Sequence, residues 1–457
     1  MKGTIHVLVL GMVFGCTSQK PPEEGTGNIR YRTGGNPVIR EGSADPSVRV
    51  FNSVVYIYPS HDFSRDNEFW IMKDWKVYSS TDLVNFKDHG VVLKGTDLSW
   101  ASEPDHCWAP DCLEKSGRYY FYFPVSDARG IWKGEIGVAA GDSPGGPFKD
   151  ALEEPLVRAG DRPPSYEGSF YNIDPAAFTD EDGKSYLFWG NGACFAAELN
   201  EDMVSFASEI RLVQIEGHQG YAEGPFVWKR NGRYYLLYSS GGGGSFDRLD
   251  YATSGNILGP YRYGGTIVSH GMKGNIHGSV FCYREQWYVA YHDLFPTDKY
   301  RKTCLDRIHY RQDGSIPRVP ASRTGVGWYN AIEGIEAEDY FEKSPGTEYQ
   351  DHEDAGFRMH GLKEGDWLRF PNVMLPYDFS GHLTVRASLS GDPGAIILTL
   401  DSINGTVAGQ VEIAAGGERR LDLYDTEVKP FTGTHDLFLK IRGGESTAMD
   451  LDWFKLY

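Results

Sequence analysis

The chain has 457 residues, of which 40% are hydrophobic and 14% aromatic, so it is long enough for roughly two to four domains with packed cores. Its formal net charge is −18 and no Lys/Arg cluster interrupts that balance, which excludes nucleic acid and anionic membrane surfaces as electrostatic partners. The wealth of Gly, Pro, Tyr and Trp suits short strands joined by turns.

The first residues read as a targeting segment. Lys2 supplies a short positive region, and Ile5 to Phe14 is mostly apolar but too short to span a bilayer. The run ends at Gly15-Cys16, before polar Thr17-Ser18-Gln19-Lys20. The pattern resembles a bacterial lipoprotein signal over residues 1–16, with Cys16 lipidated after cleavage. It implies export and an anchor at a bacterial outer membrane, on its periplasmic or outer face. Residues 17–30 are polar and Pro/Gly-containing, as expected of a tether. The other cysteines, Cys107, Cys112, Cys194, Cys282 and Cys304, are odd in number and are expected as buried thiols rather than a disulfide framework.

A repeat begins at about Tyr31. Turn-and-strand copies start at Asn52, Gly117, Gly183, Gly232 and Glu285, and read Gly117-Arg-Tyr-Tyr-Phe-Tyr or Gly232-Arg-Tyr-Tyr-Leu-Leu-Tyr in the clearest cases. Asn231-Gly232 is a strong hairpin signal because both residues tolerate positive φ. Units of this size, each holding several short strands, are the signature of a β-propeller. Five copies predict five blades over residues 31–330. Asp180-Glu-Asp-Gly is expected as a solvated hairpin tip, being too short for an EF-hand. A proline-punctuated crossover at 316–333 leads to a second unit over 333–457. Its alternating runs, such as Leu383-Thr-Val-Arg-Ala-Ser, predict half-buried strands of a β-sandwich, a jelly-roll. The fold class is therefore all-β.

The first strand of each blade lines the axis of a propeller. Counting back 7, 9, 9, 9 and 8 residues from the five hairpin positions gives Asp45, Trp108, Asp174, Glu223 and His277. One Asp-Pro alone is usually a turn or a cap. Acids recurring in register call for another reason, because a buried carboxylate is costly unless it is paired or used. Two carboxylates flanking a bond suit glycoside hydrolysis, in which one activates water and the other protonates the leaving oxygen. A third nearby raises the acid's pKa by like-charge repulsion.

With these motifs placed, residues 31–315 resemble glycoside hydrolase family 43. The resemblance rests on Asp45-Pro-Ser, Trp108-Ala-Pro-Asp111, Ile173-Asp174-Pro, Glu223-Gly-Pro and His277-Gly-Ser, in that order. It implies an inverting arabinofuranosidase or xylosidase with Asp45 as general base, Glu223 as general acid and Asp174 as pKa modulator. It also implies sugar contact by Arg301, calcium beside His277 through water, and no organic cofactor. His61, Trp75 and Trp108 are expected to wall a small sugar pocket. The partner is an oligosaccharide or polysaccharide, and the membrane is reached only through the lipid. Alternatives are an endo-arabinanase, another pentose- or galactose-specific glycosidase, a retaining fructan hydrolase of the family 32 kind, and a non-catalytic sugar-binding propeller.

In the second unit, Ile335-Glu-Ala-Glu-Asp-Tyr, Glu364-Gly-Asp-Trp-Leu-Arg-Phe and Leu451-Asp-Trp-Phe-Lys-Leu-Tyr resemble carbohydrate-binding module family 6. The resemblance implies a structural calcium site using Glu336, Glu338 and Asp452. Oxygen ligands of this kind suit that ion. The usual aromatic positions of the sugar cleft are Gly361 and the stretch Glu445-Ser-Thr-Ala-Met, and Asp450 stands at the usual ligand asparagine. The domain is therefore expected to be a structural partner rather than a sugar-binding module.

Overall fold

The computed structural model describes residues 29–32, 35–62, 71–101, 105–125, 134–218, 220–241, 246–269, 275–295, 300–375, 379–415 and 420–457. Cys16, with the rest of the expected signal segment, and most of the expected tether lie outside the described residues. Among these, strands form seven sheets, five in the first unit and two in the second.

Each of the five sheets begins with an inner strand: Ala44–Phe51, Asp111–Lys115, Ala176–Thr179, Tyr221–Arg230 and Gly278–Tyr283. Antiparallel neighbours follow outward in sequence order, except at two outer edges: Ile29–Arg32 closes the first sheet, and Ile215–Glu216 pairs in parallel with Tyr261–Ser269 in the fourth. The second strands, such as Arg233–Ser240, are apolar runs buried on both faces, because each blade packs against two others. Five apolar clusters show the ring directly. Trp75 and Tyr58 meet Phe121, Tyr122 and Ile136 meet Trp189, and Phe188 meets Leu236. Trp228 and Tyr235 meet Val289, and Tyr288 meets Val48 and Ile57 to close the circle.

Two polar ties pin the inner strands. Asp111 is fully buried and accepts hydrogen bonds from Ser47 Oγ at 2.6 Å, Arg49 Nε at 2.8 Å and the Ala177 amide at 2.7 Å. Arg49 also donates to Ala177 O and lies 4.4 Å from the Phe226 ring centre. Ser279 Oγ donates to Pro46 O and accepts from the Val48 amide. Breaking a buried pair such as Arg49–Asp111 costs about 3–5 kcal/mol, so these contacts fix the blades about the axis. The Asp180 tip is a hairpin whose acid is bound by Lys229 at 2.7 Å.

The boundaries move by a few residues from those expected. Ile29–Arg32 already pairs with Asn85–Lys94 of the first blade, so the tether is shorter. Tyr329–Asn330 pairs in parallel with Val373–Met374, so these residues belong to the sandwich and not to the propeller. A short strand at Tyr329 offers no alternation to read, and only its partner assigns it. Among the described residues no disulfide joins these five cysteines, and all but the partly exposed Cys282 are buried.

The sandwich packs two sheets around Phe370, Leu398, Leu439, Leu451 and Phe454. It is fastened to the propeller: Phe341 joins the apolar cluster between the fifth and first blades. Arg284 pairs with Glu342, Lys343 with Glu285, and the Tyr310 amide donates to Tyr349 Oη at 3.0 Å.

Candidate active site

The inner strands converge on a cavity of about 320 Å³, at the small end of the range for ligand sites. Asp45, Trp108, Asp174, Glu223, His277 and Arg301 all line it, together with Tyr171, Asn191 and Asn275. His61 and Trp75 do not. Trp75 is completely buried in the apolar cluster between the first two blades, and its Nε1 donates to Trp108 O at 2.7 Å. It holds the Trp108 backbone instead of facing a sugar. His61 turns to Asp74, with Nδ1 2.6 Å from its carboxylate.

The backbone sets the acids apart. Asp45 and Asp174, each followed by proline, have φ of +48° and +58°. Left-handed backbone is uncommon for such residues, and strain of this type costs about 1–3 kcal/mol. In the fourth blade Gly224 takes the same role with φ +65°. Cross-strand pairing confirms the alignment: Ala44 faces Ser60 and Ser47 faces Tyr58, as Glu223 faces Ser239 and Phe226 faces Leu237. Glu223 therefore matches Ala44 and Trp108, one residue earlier than Asp45 and Asp174. The counting from hairpin positions hides this one-residue slip. Gly224 is required where it stands, because a Cβ there would lie 2.4 Å from the His277 ring.

The charges around the acids differ. Burial works to raise the Asp45 pKa, but Arg301, His277 and His292 together hold it well below the usual carboxylate range. Arg301 Nη1 is 3.2 Å from Asp45 Oδ1, Ser60 Oγ donates to Oδ2 at 2.6 Å, and the Asp45 amide donates to His292 Nδ1 at 2.9 Å. Arg301 is itself clamped by Asp62, through Nε at 3.1 Å, Nη2 at 2.9 Å and its amide at 3.0 Å. Burial raises both Asp174 and Glu223, with the charge of Asp45 adding to each and Glu223 adding to Asp174. His277 opposes both shifts and is in turn pushed up to about 9 against its burial by Asp174, Asp45 and Glu223. The Gly224 amide donates to Asp174 Oδ2 at 3.2 Å, and Asn191 Nδ2 donates to Glu223 Oε2 at 2.6 Å.

Sequence reading missed Ser60, His292 and Asn191; it offered Asp62 to Trp75 and Pro163 to Tyr171 as walls of the site, of which Tyr171 lines the cavity and Asp62 instead clamps Arg301. Ser60 and His292 lie near the ends of apolar second strands, Asp62 and Asn191 just beyond them. That is where a second strand returns to the start of the first, so a polar residue closing such a run was the available signal.

Beneath the main cavity, a space of about 10 Å³ is walled largely by Pro46, Pro110, Pro175, Pro225, Ala109 and Ala176, with Asp45 and His277 as its ionisable groups. That is room for about one water, and the residues there do not provide a calcium shell. In the sandwich, Glu336, Glu338 and Asp452 are near enough for Asp452 to act on both glutamates through its charge. Burial raises all three; the charges of Asp452 and Asp339 add to Glu336, which reaches about 7, those of Asp339, Glu336 and Asp452 add to Glu338, and Arg386 opposes the rise of Asp452. Glu338 Oε2 and Asp452 Oδ1 are buried without a hydrogen-bond partner, while Arg386 holds Asp452 Oδ2 at 2.7 Å. The donor chemistry fits a hard cation, although among the described residues no group of three or more such side chains forms a ready metal cage.

Buried carboxylates of opposed pKa in a pocket on a five-bladed propeller define the site of a glycosidase. Residues 34–316 match the model of glycosyl hydrolases family 43, and residues 336–457 match that of carbohydrate binding module family 6. The chain belongs to glycosyl hydrolases family 43 and is an inverting glycosidase. It is 34% identical to a xylosidase/arabinosidase of Bacteroides ovatus over 60% of this chain and 93% of that protein. It is 27% identical to an arabinoxylan arabinofuranohydrolase of Bacillus subtilis over 99% of both chains. A crystal structure of a family 43 arabinoxylan arabinofuranohydrolase from Bacillus subtilis, in complex with cellotetraose, superposes with a TM-score of 0.57. It is 26% identical and covers 92% of this chain and 97% of that one.

Since Arg301 is the largest influence lowering the Asp45 pKa, Arg301→Met is expected to raise that pKa. The acidic limb of the kcat/KM–pH profile should then move to higher pH, with a lower maximum. An unmoved limb would detach Arg301 from Asp45.

Proposed function

We propose that the enzyme releases arabinofuranosyl or xylosyl residues from arabinoxylan-type polysaccharides and their oligosaccharides. Asp45 is the general base, ionised at working pH. Glu223 is the general acid, kept protonated by burial and by the charge of Asp45, and Asp174, bound to the Gly224 amide next to it, is assigned as the modulator and orienter. The observation that carries this reading is the divergence of the acids: Arg301, His277 and His292 hold Asp45 low, and burial lifts Glu223 and Asp174. Water on one face of the sugar gives its proton to Asp45 as it attacks the anomeric carbon. On the other face the glycosidic C–O bond breaks, and the leaving oxygen takes the proton of Glu223. Arg301, His277 and Trp108 line the pocket and are assigned to the sugar. The names of the relatives support the pentose preference. A β-D-galactofuranosidase of Aspergillus niger, 32% identical over 64% of this chain and 86% of its own, makes the galactofuranoside the competing substrate.

Glu223→Gln should lower kcat/KM on aryl arabinofuranosides or xylosides by about 10²–10⁴, and NMR of wild-type turnover should show an inverted anomer first. Unchanged hydrolysis by Glu223→Gln would remove the assignment.

For the second domain we propose a structural role with bound calcium. Asp450 is 3% exposed and engaged by Arg358 at 3.1 Å, His360 at 2.9 Å and the Gly361 amide at 2.9 Å, which supports a disabled sugar cleft. The paired orphan oxygens of Glu338 and Asp452 support the ion. Calcium is expected to raise the melting temperature of the wild type but not of Asp452→Ala, and a shared response or none would refute the site.

The N-terminal pattern supports export and lipid anchorage through Cys16 at a bacterial outer membrane. Metabolic labelling with palmitate should mark the wild type and not Cys16→Ala, and equal labelling would sink the anchor.

A further inference from the structure

Glu223 has two oxygens, and only one can serve the leaving group. We propose that Asn191 is the positioning residue that chooses between them: its amide occupies Glu223 Oε2 and leaves the transferable proton on Oε1. This rests on Glu223 being the general acid.

The geometry is specific. Asn191 Nδ2 lies 2.6 Å from Glu223 Oε2, and both residues line the cavity. An amide N–H can only donate, so the oxygen it occupies is the one that acts as acceptor. The carboxyl proton then sits on the other oxygen. When the glycosidic C–O bond breaks, that proton passes to the leaving oxygen and Glu223 becomes a carboxylate. The N–H···O contact becomes charge-assisted at that moment and strengthens. An interaction that grows in the transition state raises kcat rather than lowering KM. Asp174 is not in competition for the amide, because it has the Gly224 N–H.

The loop that presents Asn191 does not need this side chain. Asn191 and Tyr171 exchange both backbone hydrogen bonds at 3.0 Å. The Gly190 amide donates to Ile173 O at 2.8 Å, and the Gly192 amide to Ala222 O at 2.7 Å. Tyr221 Oη donates to Gly190 O at 2.7 Å. Gly190 and Gly192 have φ of +123° and +78°, and a Cβ on Gly190 would meet Ala193 O at 2.2 Å. The main chain thus carries the loop, and the amide is left for Glu223. The contact also lowers the Glu223 pKa against burial, so its loss must move that pKa up.

The test is Asn191→Ala on a series of aryl and alkyl glycosides with graded leaving groups. For poor leaving groups kcat should fall ~10–100-fold, with KM within ~3-fold of wild type. For a dinitrophenyl glycoside, which departs without protonation, kcat should stay within ~3-fold, and that activity also shows that the variant folds. The basic limb of the pH profile should move to higher pH. A loss equal for all leaving groups, or an unmoved basic limb, overturns the proposal. Glu223→Gln run on the same series separates the two readings. If it shows the leaving-group dependence and Asn191→Ala does not, only the Asn191 role fails. If Glu223→Gln is unimpaired, both fail.

Discussion

Three carboxylates share one small cavity, and they cannot all ionise there. Burial penalises each charged form, and every ionised neighbour adds to the penalty. The fold answers by placing its guanidinium on one side. Arg301, clamped by Asp62, stands directly against Asp45, while Asp174 takes the Gly224 amide, Glu223 takes the Asn191 amide, the two share His277, and Arg301 is a lesser influence on Glu223. That asymmetry gives like side chains opposed pKa shifts, the difference that the proposed base and acid require. It depends in turn on the ring of blades, since Arg301 comes from the fifth blade and Asp45, Ser60 and Asp62 from the first.

The same cavity explains the strained backbone. Left-handed Asp45 and Asp174, and Gly224 in the corresponding place, break the alternation of each inner strand before its proline. Where the fourth blade needed the His277 ring to lie against its backbone, glycine replaced the acid and the carboxylate moved one residue back to Glu223. Ties below the cavity, chiefly Arg49 with Asp111, hold the strands against one another and keep this arrangement in place. The sandwich adds a brace at the seam between the fifth and first blades, through Phe341 and the Arg284–Glu342 pair. That seam separates the blade that supplies Arg301 from the blade that supplies Asp45.

Much of this was legible in the linear chain. Hairpin dipeptides and aromatic second strands recur at spacings only a propeller satisfies, and the Asp-Pro, Glu-Gly-Pro and His-Gly-Ser motifs mark its axis. The residues read wrongly were those whose role depends on direction. Trp75 has the composition of a sugar platform, yet its strand turns it into the seam between two blades. His61 sits next to the site in sequence but turns to Asp74, while its neighbour Asp62 holds Arg301.

What the sequence by itself determined is the number of blades, the identity of the three acids and the presence of a second β-domain. These follow from local turn chemistry and from periodicity, which need no knowledge of partners. Tertiary structure alone decided which acid meets which cation, that Glu223 lies one step out of register, and that Asn191 reaches it from the neighbouring blade. The reason is physical: a carboxylate's protonation state is set by groups within a few ångströms in space, and here those groups lie as much as 256 residues away along the chain.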